Sequence, residues 1–246
     1  MKNFSNRYIF IFSSVMVIIV ATILSLAAMM LQPLQQKNEE IAKKTDILKS
    51  IYEAENLSEV KNKNEYIESE YDKYITGTFV VNEAGETVEG VNAFTIDLKK
   101  EMAKEPAERN LPVYTCKLDD GLEKVIIPVR GKGLWGPIWG YLSLDDDYNT
   151  VFGAVFDHKS ETPGLGAEIN TGWFQEPFKG KKLFDENEEF KSINVYKGGK
   201  GAAALAGDLA HGVDAISGGT ITSKGLEKML YDNLIVYSTY LKNNWK

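Results

Sequence analysis

The sequence predicts an α+β fold, in which an antiparallel sheet is flanked by helices and preceded by one N-terminal transmembrane helix. Three observations support this prediction. An uncharged apolar run fills residues 8–31, four strand-like runs lie between residues 77 and 156, and an amphipathic helical pattern follows near the C-terminus. We divide the chain into an anchor at 1–36, a charged helical stalk at 37–75 and a globular domain at 76–246.

The N-terminal apolar run is long enough to cross a bilayer. Its 24 residues would extend about 36 Å as a helix. A cleaved signal peptide is the alternative, but its apolar core is usually only about 7–15 residues long, so we favour a retained anchor. Lys2 and Arg7 precede the run and Lys37, Lys43 and Lys44 follow it, so the charge count is nearly balanced, and the very short N-terminus with two positive charges favours the cytoplasmic side. We therefore predict a single-pass protein of the cell inner membrane whose C-terminal domain faces the periplasm.

The stalk at residues 37–75 is rich in glutamate, lysine, aspartate and asparagine. Apolar residues from Ile41 to Tyr52 follow a helical period, which predicts an amphipathic helix in its first half. The second half, from Asn56 to Lys73, is compatible with either a charged helix or a loop. We interpret the stalk as a solvated surface with one packed stripe.

Four segments after Ile75 have the β-branched and aromatic composition of strands. They span residues 77–81, 124–129, 139–144 and 151–156, and glycine or aspartate clusters separate them. Pro128 cannot donate a hydrogen bond to a neighbouring strand, so its strand is predicted to lie at an edge or to contain a bulge.

The segment 131–136 matches the dinucleotide-binding pattern G-x-G-x-x-G, but a strand-like run follows it where such a site needs a helix. We predict a hairpin loop instead, with Leu134 and Trp135 at its tip. Helices are predicted at 170–178, 187–190 and 223–241, and the last of these collects its apolar residues close to one face.

Charge and cysteine content exclude several classes of function. The net charge of −7, without a basic stripe, argues against a nucleic-acid partner. Cys116 is the only cysteine, so neither an internal disulfide nor a cysteine-ligated iron–sulfur cluster is possible. His158 and His211 have no partner at ligand spacing, and each is expected to be a surface or hydrogen-bonded histidine and not a metal ligand. Redox chemistry would therefore need an organic cofactor.

The most informative stretch is the polar turn DAISGGTITS at residues 214–223. Asp214, Ser217, Gly218, Gly219 and Thr220 favour turns and exposed backbone. Because the following helix is predicted to begin near residue 223, the turn presents hydroxyl groups at a helix N-terminus, where N–H groups and the helix dipole favour negative charge. Considered alone, the turn could equally be a loop with a helix cap.

A second turn motif, ETPGLG, occupies residues 161–166. Pro163 fixes one dihedral and Gly164 allows a positive φ, which predicts a tight turn. Gly166 would let the backbone approach a flat ligand closely. An ordinary β-turn is the alternative.

Together these motifs resemble those of flavinylated FMN-binding domains. The turn at 214–220 is similar to the Asp-x-x-Ser/Thr-Gly-Ala-Thr acceptor motif of that family, except that Gly219 replaces the usual alanine. ETPGLG matches the family's signature for the flavin pocket, and Gly133-Leu134-Trp135 matches a turn beside the flavin ring. Over the whole chain, the single span, stalk and length resemble the C subunit of the Na+-translocating NADH:quinone reductase.

The resemblance implies a covalent flavin site in the domain at 76–246. FMN would be joined through a phosphoester to Thr220, with Ser217 and Thr222 as competing hydroxyls, and Asp214 would help a flavin transferase to engage the motif. It implies no catalytic residue and no metal ligand. The other residues implied to form the FMN site are Ser217, Gly218, Gly219, Leu134, Trp135, Glu161, Thr162, Leu165 and Gly166.

The activity implied by the resemblance is electron transfer within an oxidoreductase complex, with other membrane subunits as partners and sodium moving elsewhere. Residues 8–36 contain no carboxylate, so the span itself is not expected to form an ion path. Two alternatives stay open. One is the G subunit of an Rnf ferredoxin:NAD oxidoreductase or another exported flavin carrier, and the other is a non-redox sensor or scaffold domain that shares the fold.

Overall fold

A computed structural model describes residues 5–53, residue 57 and residues 60–245, and it confirms the predicted α+β fold class. Its contacts divide the chain into two compact units, Met1–Lys43 and Lys44–Lys246. The predicted boundaries at residues 36 and 75 stay predictions. Lys2, which entered the orientation argument, and Asn56, the start of the second half of the stalk, lie outside the described residues.

Helix α1 (Asn6–Ser50) contains the predicted span. Within the part of the chain that the structure describes, it is the one helix long and apolar enough to cross a membrane. Its apolar side chains in the span, such as Phe10 and Met30, are exposed by 75% and 79% within this chain. They therefore need an apolar environment that the described residues do not supply.

The segment after Lys44 packs as part of the second compact unit. Ile47 and Leu48, in the last turns of α1, are completely buried. The second half of the stalk, which the sequence left as either a helix or a loop, contains helix α2 (Lys63–Tyr74). This helix buries Ile67 and Tyr71. The predicted packed stripe is therefore present on both helices.

A five-stranded antiparallel sheet forms the centre of the domain, with the strands in sequence order. All four predicted strands are confirmed, and the strand that follows β1 in the chain was missed. The strands are β1 (Ile75–Val81), β2 (Leu111–Lys117), β3 (Glu123–Lys132), β4 (Pro137–Leu144) and β5 (Val151–His158). A second sheet pairs two short parallel strands, β6 (Asn194–Tyr196) and β7 (Gly212–Asp214).

The expectation that the Pro128 strand lies at a sheet edge or contains a bulge was wrong, because β3 is a central strand and pairs with β4 from Val125 to Lys132 without a register shift. Strand β3 lies between β2 and β4, but its pairing with β2 ends at Ile126. At Pro128 only β4 is paired, so the missing N–H costs no ladder bond on the other side. Two residues further on, the Asn233 side chain from the C-terminal helix pairs with both the N–H and the C=O of Arg130.

The described residues form five further helices, which are α3 (Leu98–Glu101), α4 (Gly172–Gln175), α5 (Ala202–Leu205), α6 (Thr220–Leu234) and α7 (Ser238–Asn244). The predicted helix at 170–178 is present as short turns that include α4. The predicted helix at 187–190 is wrong. There the Asp185 carboxylate accepts hydrogen bonds from the N–H groups of Asn187 and Glu189, and Glu188 adopts a φ of 62°. The side chain thus stabilises a turn in place of a helix.

The predicted C-terminal helix begins earlier than expected and is interrupted. Helix α6 starts at Thr220 rather than near residue 223, and a 3₁₀ turn at Ile235–Tyr237 separates it from α7. Its buried face, which includes Leu226 and Leu230, packs against β3 and contributes to the main core. This packing places the first turn of α6 beside the hairpin loop between β3 and β4.

Candidate functional site

Three loops meet at one end of the sheet, and each contains one of the motifs found in the sequence. The first is the predicted hairpin loop at 133–136, which Gly133 closes by donating its N–H to the Gly136 carbonyl at 2.9 Å. The second is the loop at 161–166, which follows β5. The third is the turn at 214–219, which leads into α6.

The Glu161 carboxylate connects its own loop with the hairpin loop and with the first turn of α6, which follows the third loop. One oxygen accepts hydrogen bonds from the N–H groups of Trp135 and Gly136, at 2.8 and 3.3 Å. The other accepts the hydroxyl of Thr222, in the first turn of α6, at 2.5 Å. Because Glu161 is only 5% exposed, water competes little for these bonds.

These bonds also determine the charge of Glu161. Burial raises the pKa of a carboxyl group, but the hydrogen bonds from Thr222 and from the backbone N–H groups of the hairpin outweigh burial. The pKa of Glu161 is therefore held below its ordinary value. The side chain is a carboxylate at neutral pH, and each of its partners is a donor, as an anion requires.

Two glycines make room for this carboxylate. A Cβ atom added to Gly133 would lie 2.6 Å from Glu161 Oε1. A Cβ added to Gly166 would lie 2.3 Å from the Thr222 hydroxyl and 2.5 Å from Glu161 Oε2. The sequence suggested that Gly166 admits a flat ligand, whereas the structure shows that it admits the bond between Glu161 and Thr222.

The turn at 214–219 is held by its own backbone and by Ser223. Gly218 adopts a φ of 77°, which favours glycine, and Gly219 donates its N–H to the Ile216 carbonyl at 3.0 Å. The Ser223 hydroxyl accepts the N–H of Ile216 and donates to the Gly219 carbonyl, at 3.1 and 3.0 Å. Gly219 occupies the N-cap position, so Thr220 is the first residue of α6.

The three candidate hydroxyls of the turn have different environments. Thr222 is 1% exposed and donates its hydroxyl hydrogen to Glu161. Thr220 is half-buried, Ser217 is exposed, and neither side chain has a hydrogen-bond partner among the described residues. The Thr222 hydroxyl is therefore used in the hydrogen bond to Glu161, whereas the hydroxyls of Thr220 and Ser217 are available to react.

Two charged residues near the turn, Asp214 and Lys224, already have partners outside it. Asp214 accepts hydrogen bonds from the N–H groups of Gly201 and Ala203, at 2.5 and 2.9 Å, and so caps the start of α5. Lys224 pairs with Glu227 at 2.7 Å, one turn along α6. The geometry thus gives Asp214 a structural role, and its expected role toward a transferase stays a prediction.

Exposed apolar side chains surround this junction. Leu134 and Trp135 at the hairpin tip are 45% and 66% exposed, Leu165 is 41% exposed, and Ile221 next to Thr220 is 61% exposed. A flat, partly apolar ring system would cover such surfaces favourably. A phosphoryl group on Thr220 would lie at the start of a 15-residue helix, where negative charge is favoured. The residues present therefore fit FMN.

Two further residues of this region were not predicted from the sequence to belong to it. Glu168 accepts the N–H of Gly164 and the indole N–H of Trp173, both at 3.1 Å, and so fixes an exposed tryptophan beside the 161–166 loop. The only signal for Glu168 was its spacing of four residues from Gly164. His158 was expected to be an ordinary surface or hydrogen-bonded histidine, and in the structure its Nδ1 accepts the N–H of Glu161.

Known proteins are similar to this chain in both sequence and fold. A family model described as "FMN-binding domain" matches residues 133–234, which contain all three loops. The chain is 32% identical over 227 residues to the C subunit of Na(+)-translocating NADH-quinone reductase from Vibrio vulnificus (strain YJ016), covering 85% of this chain and 83% of that protein. It is 34% identical over 225 residues to the corresponding protein of Haemophilus ducreyi, with 85% and 82% covered.

Solved structures give the same result. The crystal structure of the C subunit of Na(+)-translocating NADH-quinone reductase from Parabacteroides distasonis is similar with a TM-score of 0.72 and 44% sequence identity. The match covers 86% of this chain and 96% of that one.

Proposed function

Because the chain belongs to the family formed by the C subunits of Na(+)-translocating NADH-quinone reductases, we propose that it is the membrane-anchored, FMN-carrying electron-transfer subunit of such a reductase. Identity above 30% over 85% of the chain supports this assignment. The match of the FMN-binding domain to the segment that holds all three loops supports the cofactor. The protein works within an oxidoreductase complex and has no substrate turnover of its own.

The chain's residues have separate roles toward the cofactor. FMN supplies the capacity to take up and release one or two electrons. Leu134, Trp135 and Leu165 offer apolar surface to the ring, and the exposed Thr162 offers its hydroxyl group. Glu161 keeps the loops in register and does not itself react. No residue needs to act as a catalytic acid or base, because an electron carrier breaks no bond.

We further propose that FMN is attached through a phosphoester to Thr220. The observation that supports Thr220 over Thr222 is the different hydrogen bonding of their hydroxyl groups. The Thr222 hydroxyl donates to the buried Glu161, whereas Thr220 has a free hydroxyl at the first position of α6. The phosphodiester would keep one negative charge near the N–H groups of that first turn, which is worth about 0.3–1 kcal/mol.

The partners and location follow from the same assignment. The apolar span in α1 anchors the chain in the inner membrane beside the other reductase subunits, and the domain faces the periplasm. A flavin transferase attaches FMN on that side, with Asp214 and the exposed Ser217 and Gly218 as part of the surface that it engages. Covalent attachment then prevents loss of a cofactor that could not be replaced outside the cytoplasm.

The test is the mass of the intact chain after co-expression with a flavin transferase. Wild type is expected to be heavier by the mass of FMN minus water, and Thr220→Val is expected to lack this increment. Thr222→Val is the matched control, because it makes the same change two residues away, and it should retain covalent flavin. Ser217→Ala should also retain at least part of it. A flavinylated Thr220→Val protein would show that the acceptor is another hydroxyl.

A further inference from the structure

We propose that His158 is a positioning residue of the flavin site, which holds the Glu161 loop in place through an unprotonated Nδ1. The inference deepens the proposed function and rests on it. His158 is the last residue of β5 and lies opposite Ile138 of β4, the strand that leaves the hairpin loop. It thus stands between the two loops that Glu161 connects.

The hydrogen bond from Glu161 determines the state of the imidazole. The backbone N–H of Glu161 donates to His158 Nδ1 at 3.2 Å, so that nitrogen must carry a lone pair. In the neutral ring the hydrogen is then on Nε2. Protonation would place a hydrogen on Nδ1, facing the N–H of Glu161, and two donors cannot bond to each other.

The second ring nitrogen has no compensating contact. Nε2 is buried and has no hydrogen-bond partner among the described residues. A buried donor without a partner is costly, so Nε2 does not stabilise this position of the ring. The interaction that fixes the ring is the one at Nδ1, and its partner is the main chain of the residue that joins the loops.

The consequences extend from Glu161 to the hairpin and to α6. With its N–H anchored, Glu161 directs one carboxylate oxygen to the N–H groups of Trp135 and Gly136 and the other to Thr222. Loss of the anchor frees the start of the 161–166 loop. Trp135 and the first turn of α6 are then no longer held by the same carboxylate, and the surroundings of a flavin on Thr220 change.

Two acids lie close to His158 in the chain. Asp157 accepts the backbone N–H of His158 at 2.7 Å, and Glu161 follows three residues later as a carboxylate. Asp46, in the last turns of α1, lies close enough to Asp157 for their charges to interact. Burial, the largest effect, and the charge of Asp157 together raise the pKa of Asp46 to about 6. Asp46 therefore changes its charge near neutral pH, so all variants are compared at one fixed pH.

The experiment uses the full-length flavinylated protein in detergent and two replacements of one residue. His158→Asn keeps an acceptor oxygen near the position of Nδ1 but cannot be protonated, whereas His158→Leu has no acceptor. His211→Asn is the control, since the ring of His211 bonds to the Lys182 carbonyl and not to Glu161. The measurements are the flavin midpoint potential and the visible circular dichroism of the flavin, both at the same neutral pH.

We expect His158→Leu to shift the midpoint potential and the dichroism relative to wild type, while His158→Asn and His211→Asn do not. A His158→Asn protein that shifts as far as His158→Leu would show that the acceptor atom at this position does not matter, and it would overturn the proposal. An unshifted His158→Leu protein would also overturn it, and if that variant does not fold, the comparison between wild type and His158→Asn decides alone. Failure of the proposed function would appear separately, as wild type without covalent flavin.

Discussion

At the scale of single residues, the Glu161 carboxylate has more connections than any other predicted site residue. It receives three hydrogen bonds from two segments that are far apart in sequence, and its partner Thr222 is 61 residues away. The sequence indicated only that Glu161 begins a turn motif. The structure adds that the motif begins with glutamate because an anion is needed to collect donors from the hairpin and from α6.

The carboxylate predicts a pH-dependent stability. Since the folded state lowers the pKa of Glu161, its contribution is present above the pKa of the unfolded chain and is lost as the pH falls through the folded pKa. Glu161→Gln should therefore lower the free energy of unfolding by about 1–3 kcal/mol at pH 7. Denaturant titrations of the full chain in detergent, followed by circular dichroism, measure this difference.

The difference between wild type and Glu161→Gln should shrink below about pH 4.3, where glutamates of the unfolded chain become protonated. Glu176→Gln is the control, because Glu176 is exposed and the change should alter stability by less than about 0.5 kcal/mol. A Glu161→Gln effect that is equal at all pH values would mean that the side chain's shape matters and its charge does not.

Trp135 predicts a spectroscopic effect at the same scale. Its ring is 66% exposed although its backbone N–H is fixed by Glu161, so the indole contributes little to the core. Trp135→Ala should therefore leave the fold and the covalent bond intact while it changes the flavin absorption spectrum or midpoint potential. Intact mass and spectroelectrochemistry check the two halves of this prediction. Unchanged spectra and an unchanged potential would show that the indole does not contact the ring.

At the scale of elements, close packing of α6 on the β3–β4 hairpin sets the position of the acceptor turn. Gly225 lies one turn into the helix, and a Cβ at this position would be 2.4 Å from the Lys132 carbonyl. On the next turn Met229 lies against Gly131, where a Cβ would be 2.6 Å from the methionine Cβ. Small residues at both contacts let the helix approach the strand backbone, which fixes Thr220 relative to the hairpin tip.

This contact predicts that Gly225→Ala is destabilising although alanine is the better helix former. The clash with a backbone carbonyl should cost about 1–3 kcal/mol, more than the roughly 1 kcal/mol that alanine gains in helix propensity. Gly172→Ala is the matched control, because no heavy atom lies within 4 Å of its added Cβ. That change should be neutral or slightly stabilising. Thermal unfolding of both variants checks the prediction, and equal melting temperatures would contradict it.

Local sequence patterns predicted the elements whose residues alternate or repeat regularly. Strands β1, β3, β4 and β5, the hairpin loop and the amphipathic α6 all follow such patterns. Strand β2 was missed because its segment LPVYTCK contains proline, cysteine and lysine and no clear alternation. Its burial comes from pairing with β1 and β3, which depends on residues distant in sequence.

The site shows the same division between local and distant effects. Turn chemistry identified the three loops, and family resemblance indicated their common purpose. The early start of α6 was not predictable, because Gly219 caps the helix without a side chain and the hydroxyls of Thr222 and Ser223 make tertiary contacts. The anchoring role of His158 was not predictable either, because it depends on where β5 ends relative to the loop.

At the scale of the whole molecule, the chain combines an acidic domain with an apolar helix that has no covering partner among the described residues. Lys2 and Arg7 precede the span, the lysines that follow it are interleaved with Glu39 and Glu40, and residues 1–36 contain no acidic residue. Positive charge close to a span favours the cytoplasmic side, whereas acidic residues have little influence on orientation. The basic residues before the span, together with the small influence of acidic residues, therefore favour a cytoplasmic N-terminus and an exported domain.

We therefore expect a reporter that is active only in the cytoplasm to be silent when it is fused after Lys246. A second reporter, active only outside the cytoplasm, should be active at the same position. The same pair fused after a chain truncated at Arg7, before the span begins, should give the opposite result and serves as the control. Because the two basic residues supply the orienting charge, replacing both with glutamine should give a mixed population in which both C-terminal reporters are partly active. A strong cytoplasmic signal from the wild-type fusion would reverse the orientation, and it would also place Thr220, the proposed flavin acceptor, on the cytoplasmic side of the membrane.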